Sequence, residues 1–108
     1  RTAVMGIPVS AKGELICTLS INASSIRSLG VRRLGVFGSF ARNEPTPSSD
    51  VDLLVEFEEG RKSFDHFMDL SFLLEEVLRR RVELVTPESL SPHIGPKILR
   101  EVEYVNLG

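Results

Sequence analysis

The 108-residue sequence has one cysteine, one tyrosine, no long apolar run and no excess of either charge, and each scarcity narrows what the chain can be. A lone cysteine, Cys17, forms no internal disulfide, which fits a reducing cytoplasm. Placed among Leu15, Ile16 and Leu19, it is expected to be a buried, inert thiol. No stretch approaches the roughly 20 apolar residues that span a bilayer. The opening, Arg1 to Ser10, lacks the continuous apolar stretch of a signal peptide. Against 13 Lys and Arg stand 15 Asp and Glu, so no net field draws in nucleic acid or an anionic membrane. A chain of this length is expected to form one domain with a true core, without room for a second substrate-binding domain.

What is present reads as alternating helices and strands. Residues 1–13 form an irregular lead-in, and residues 14–108 a single domain. Leu15, Ile16, Leu19, Ile26 and Leu29 suggest helical packing in two pieces broken near Asn22, closed by Gly30 as a C-terminal cap. A short strand is expected over 33–37, then a break at Gly38 and Ser39 and a helical turn from Phe40. Pro45 and Pro47 mark a loop. The clearest strand runs from Val51 to Phe57, with Val51, Leu53, Val55 and Phe57 on one face and Asp50, Asp52, Leu54 and Glu56 on the other. Ser63 is placed to cap a helix from Phe64 to about Arg80. A third strand covers 82–85, and a last helix is expected from about Pro96 to Val105. The result is an α/β sandwich built on a small mixed sheet.

The chemistry is concentrated in Gly38-Ser39-Phe40-Ala41-Arg42 and, after a loop, Asp50-Val51-Asp52. Two aspartates at i and i+2 on a strand leave the same face, about 7 Å apart at a rise of roughly 3.3 Å per residue. They repel each other with no cation nearby in sequence. A pair of divalent ions roughly 3.5–4 Å apart would resolve the repulsion, and hard carboxylate oxygens favour Mg²⁺ or Mn²⁺. Glycine after a strand lets the backbone approach a phosphate, amide hydrogens of the following turn point at it, and Ser39 and Arg42 add donors. Taken residue by residue, the same pair is equally compatible with a solvated strand edge.

Together these residues resemble the signature of the DNA polymerase β-type nucleotidyltransferases. The fuller run from Gly38 to Arg42 with Ser49 to Val55 is similar to their minimal bacterial and archaeal members, the MNT proteins. The likeness continues through Arg81-Val82-Glu83-Leu84-Val85-Thr86-Pro87 and the tail from Ser91 to Val105. It implies a polymerase β-like palm, with Mg²⁺ on Asp50, Asp52 and Glu83, and a nucleoside triphosphate on Gly38, Ser39 and Arg42. Glu83 stands where relatives often carry aspartate, as a metal ligand or as a base toward the acceptor hydroxyl. Asn43 stands where many have glycine, a mild change because asparagine tolerates unusual backbone angles. The resemblance also implies a role, the antitoxin of a HEPN/MNT toxin–antitoxin pair, which transfers AMP from ATP to a tyrosine of a HEPN-domain toxin.

Two other functions stay open at this level: a binding module that blocks a toxin stoichiometrically, and a transferase acting on a small molecule or RNA. Other chemically suggestive residues have plainer readings. His66 and His93 are read as surface histidines, and Arg79 to Arg81 as a solvated helix end. Arg32 and Arg33 precede the first strand, near a partner or nucleotide. Glu56, Glu58 and Glu59 face water, Tyr104 packs its ring on the core, and Phe40 is wedged into it.

Overall fold

The strongest period-two pattern in the chain becomes the middle of a sheet in the computed structural model, which describes residues 8–108. In chain order the helices are α1 (Lys12–Ile21), α2 (Ala23–Ser28), α3 (Gly38–Ala41), α4 (Phe64–Leu78) and α5 (Gly95–Glu101). The strands are β1 (Val31–Phe37), β2 (Val51–Phe57), β3 (Val82–Val85) and β4 (Glu103–Tyr104). Sheet order is β3-β2-β1-β4. β2 pairs antiparallel with β1 and parallel with β3, while β4 runs antiparallel along the outer side of β1. A mixed sheet flanked by helices is the expected class. Of the expected lead-in, residues 1–7 lie outside the described residues, and helix α1 begins at Lys12.

One face of the sheet builds the core. Leu34 and Val36 of β1 and Val51, Leu53 and Val55 of β2 are fully buried against Leu15 and Leu19 of α1, Ile26 of α2, and Leu70, Leu74 and Leu78 of α4. Each such side chain contributes about 1.5–3 kcal/mol by leaving water. The local signals are realised as read. Asn22 separates the first two helices, its Nδ2 donating to the Thr18 carbonyl at 2.8 Å. Gly30 turns the chain into β1 with φ +89°. Ser63 caps α4 by accepting from the His66 N–H at 3.1 Å. Phe40 is fully buried.

Three expectations need correction. Cys17 is exposed: the buried stripe of α1 is Leu15 and Leu19, and a residue midway between positions i and i+4 points away from that stripe. The tail is not a helix to Val105. α5 stops at Glu101, and 103–104 join the sheet, where the Val105 N–H donates to the Leu34 carbonyl at 2.8 Å. Gly35 makes room for this strand, since a Cβ there would stand 2.5 Å from Val102 Cγ2. Tyr104 therefore lies on the edge strand, partly exposed, with the Arg33 guanidinium 4.0 Å from its ring centroid. Finally, β1 starts at Val31 and includes Arg32 and Arg33. No described helix is long and apolar enough to cross a membrane.

Candidate active site

The second face of the sheet carries the carboxylates, and strand register decides which of them meet. In the parallel β2–β3 pair Asp52 lies opposite Glu83. In the antiparallel β1–β2 pair Asp52 lies opposite Phe37, the residue before Gly38. Asp50 precedes β2 by one residue. Gly38, Asp50, Asp52 and Glu83, far apart in sequence, thus collect at one end of three adjacent strands. Asp50 and Asp52 are half-buried and Glu83 is exposed.

Glycine at 38 is required twice over. Its φ is +76°, and a Cβ on that backbone would overlap the Asp52 carboxylate. The chain then makes the single turn of α3, closed by the Glu44 N–H donating to the Ser39 carbonyl at 2.8 Å. Asn43 leaves that turn at φ 57°. This is the left-handed region for which glycine would be the default and asparagine the best-tolerated substitute. Its side chain also accepts from the Lys12 N–H at 3.3 Å.

One site residue went unread in the sequence. Glu101, the last residue of α5, accepts from the Gly38 N–H through Oε2 at 2.6 Å and from Arg42 Nη1 through Oε1 at 2.9 Å. A carboxylate thus lies on the backbone donor and the guanidinium expected to receive a phosphate. No local pattern marks Glu101. Only the turn of α5 back against α3 brings it there.

The electrostatics of this end are one-sided. Burial pushes the Asp52 carboxyl up to about 6, and the neighbouring charges of Glu83, Asp50 and Glu101 add to the effect, with Arg42 opposing them. Asp52, Glu83, Asp50 and Glu101, with Arg42 opposing them while itself paired with Glu101 and Glu44, leave a surplus of negative charge on hard oxygens, which suits Mg²⁺ or Mn²⁺. Among the described residues, no three such groups already converge on one point, so the side chains of Asp50, Asp52 and Glu83 share a face without meeting in a closed cage.

The remaining candidates resolve differently. Glu56, expected to face water, is largely buried and binds both Arg32 and Arg33, at 2.9 and 2.7 Å. His66 Nδ1 is engaged with the Arg61 carbonyl at 2.5 Å, and His93 is exposed. Arg79 adopts φ 58° as the cap of α4 and is exposed, as is Arg81, whereas Arg80 is half-buried. A cleft of about 370 Å³ lined by Arg32, Glu56, Lys62, Thr86 and Glu88 opens toward the other end of β2, and Asp50, Asp52, Glu83 and Glu101 do not line it.

A Gly-Ser turn facing paired strand carboxylates on a small mixed sheet is the arrangement of a nucleotidyltransferase, and comparison with known proteins agrees. Residues 20–105 match the family described as the nucleotidyltransferase domain, and the chain belongs to that family. Within it, the chain is similar to the protein adenylyltransferase MntA of Thermococcus cleftensis, 44% identical over 93 residues that make up 85% of this chain and 93% of that relative. A solved structure described as a minimal nucleotidyltransferase superposes with a TM-score of 0.67 at 38% identity, covering 82% of this chain and 93% of the other. The fold is shared, at 19% identity and a TM-score of 0.52, with a chain from the complex of a tri-AMPylated Shewanella oneidensis HEPN toxin with MNT antitoxin, covering 78% of this chain and 68% of that one.

Proposed function

We propose that this nucleotidyltransferase moves AMP from ATP to a hydroxyl of a partner protein, and that the partner is a HEPN-domain toxin which the transfer silences. The observation that carries the chemistry is the register placing Asp52 opposite Glu83 and beside the turn at Gly38. The similarity to a protein adenylyltransferase supports the nucleotide and the acceptor class, and the fold shared with an antitoxin complex agrees with the role.

In this reading Gly38, Ser39 and Arg42 hold the triphosphate. The Gly38 N–H and the Arg42 guanidinium exchange the Glu101 carboxylate for phosphate oxygens, a like-for-like replacement of one oxyanion by another. Asp50, Asp52 and Glu83 are the residues that would hold Mg²⁺ or Mn²⁺, whose charge when bound offsets that of the carboxylates and of the departing pyrophosphate. The acceptor hydroxyl oxygen forms a bond to the α-phosphorus, and the bond from that phosphorus to the pyrophosphate oxygen breaks. The hydroxyl proton passes to a carboxylate. Glu83, the most exposed of the three acids and one methylene longer than aspartate, is the one with reach toward an acceptor docking from outside.

The test is transfer of label from α-³²P-ATP with Mg²⁺, in the presence and absence of a HEPN-domain partner. Label on the partner, lost with EDTA and in Asp50→Asn, is the expected result. Neutralisation of the toxin by Asp50→Asn, without label, would replace this reading with a stoichiometric binding module. Label on RNA or a small-molecule acceptor, with none on protein, would replace the acceptor.

A further inference from the structure

Arginines 79 to 81 read in the sequence as a solvated helix end, and the structure sets the middle one apart. Arg80 Nε donates to the Val9 carbonyl at 2.5 Å. Its Nη1 lies 2.8 Å from the Ser49 carbonyl, 3.1 Å from that of Pro47 and 3.3 Å from that of Thr46. The guanidinium carbon stands 5.3 Å from the centroid of the buried Phe40 ring in α3. A single side chain thereby ties together the approach to α1, the turn after Gly38 and the loop leading to Asp50.

Three of the four carbonyls belong to the four residues immediately before Asp50. That loop is poorly equipped to hold itself. Pro45 and Pro47 contribute no N–H, and its internal bonds close only a short turn, from the Ser49 N–H to the Thr46 carbonyl at 3.0 Å and from the Thr46 N–H to Ser49 Oγ at 2.8 Å. On the far side of Asp50, the Val51 N–H donates to the Arg81 carbonyl at 2.9 Å. Asp50 is therefore gripped before and after by residues 80 and 81. That segment is anchored in turn by the left-handed Arg79 and by the Val82 N–H on Glu75 Oε2 at 3.0 Å.

We propose that Arg80 is the positioning residue for Asp50, fixing the backbone from which that carboxylate reaches toward a divalent cation. The inference rests on the reading of Asp50 as a metal-binding acid. Its reason is geometric. A planar guanidinium presents donors in several directions at once and stacks on an aromatic ring, whereas a lysine ammonium is a hydrated point charge that satisfies fewer of these carbonyls.

The experiment compares wild type with Arg80→Met, Arg80→Lys and, as a control at the opposite end of the sheet, Arg27→Ala. Two readouts are taken on purified protein: amide hydrogen exchange at residues 48–51, and Mn²⁺ binding followed by loss of the free-ion EPR signal. Arg80→Met is expected to speed exchange at 48–51 and weaken Mn²⁺ binding by about tenfold, the usual scale for a residue that supports a ligand. Arg80→Lys should fall between it and wild type. Unchanged exchange in Arg80→Met overturns the proposal. So does a Mn²⁺ shift no greater than that of Arg27→Ala, which would make Arg80 a structural residue only. A wild type that fails to bind Mn²⁺ tells instead against the metal-binding reading of Asp50, and the exchange measurement still decides whether Arg80 holds the loop.

Discussion

Asp52 and Glu56 are acids of the same strand, on the same face, four residues apart, and their surroundings are opposite. Glu56 has a guanidinium on each oxygen, Arg32 and Arg33, supplied by the neighbouring strand. Asp52 has Glu83 across the parallel ladder, Asp50 two residues back and Glu101 from α5, and among the described residues Arg42 alone offsets them. At Glu56 two cations already answer one acid. The Asp52 end is left short of positive charge, a deficit that a divalent cation would make good in the proposed reaction. Charge alone therefore does not mark the site. Imbalance, set by which strand lies alongside, does.

The comparison is broken most directly by removing an unbalanced acid. Asp50→Asn and Asp52→Asn are each expected to lower nucleotidyl transfer by about a thousandfold or more, a scale associated with losing transition-state charge stabilisation. Circular dichroism should show the fold retained. Transfer within tenfold of wild type in either variant would remove these residues from the chemistry.

Gly38→Ala is next in size. It places a Cβ on a backbone at φ +76° and against the Asp52 carboxylate. The left-handed conformation costs a residue with a Cβ about 1–2 kcal/mol, which urea denaturation would show. Transfer should fall further than stability does, because the clash moves Asp52. Equal proportional losses in the two measurements would mean that the glycine serves the fold alone.

The fold was largely legible because its cues are local: the period of β2, the Ser63 cap, the left-handed turn at Gly30 and the leucine stripe of α4 each act within a few residues. What escaped depends on distant pairing. β4 is two residues long and exists because Gly35 leaves room beside β1. Cys17 was misplaced because apolar neighbours in sequence do not share a helix face. Of the candidate site residues, Gly38, Asp50 and Asp52 stand out by their spacing and Glu83 by a family resemblance, and strand register brings the four to one end of the sheet. Glu101 and Arg80 do not stand out, since a glutamate closing a short helix and an arginine in a basic run have no signature until the chain folds them onto Gly38 and onto the loop before Asp50.

A smaller effect follows from the Asp52 carboxyl being pushed up to about 6 from an ordinary 3.8. The folded protein holds this proton more tightly than the unfolded chain does, so the protonated acid favours folding. That contribution is complete below pH 3.8 and is lost as pH rises through about 6. At neutral pH the charged Asp52 weighs against the fold, and Asp52→Asn should then melt higher than wild type. The gap should shrink as pH is lowered through that window. A gap independent of pH, or a variant less stable at neutral pH, would contradict the crowding of charge around Asp52.

The smallest expected effect sharpens the contrast with which the two acids began. Glu56→Gln deletes a carboxylate from the same face of the same strand, yet its partners Arg32 and Arg33 are about half-exposed and can turn to water. Exposed ion pairs contribute little to folding. Glu56 lies four residues from Asp52 along the strand, about 13 Å at a rise of roughly 3.3 Å per residue, which exceeds the screening length of roughly 8 Å at physiological salt, so the field at Asp52 should change little. Transfer should stay within about twofold of wild type, since nothing made in the transition state is removed. A loss approaching that of Asp52→Asn would show that the whole carboxylate face acts as one electrostatic unit, and that pairing with arginine does not separate Glu56 from the site.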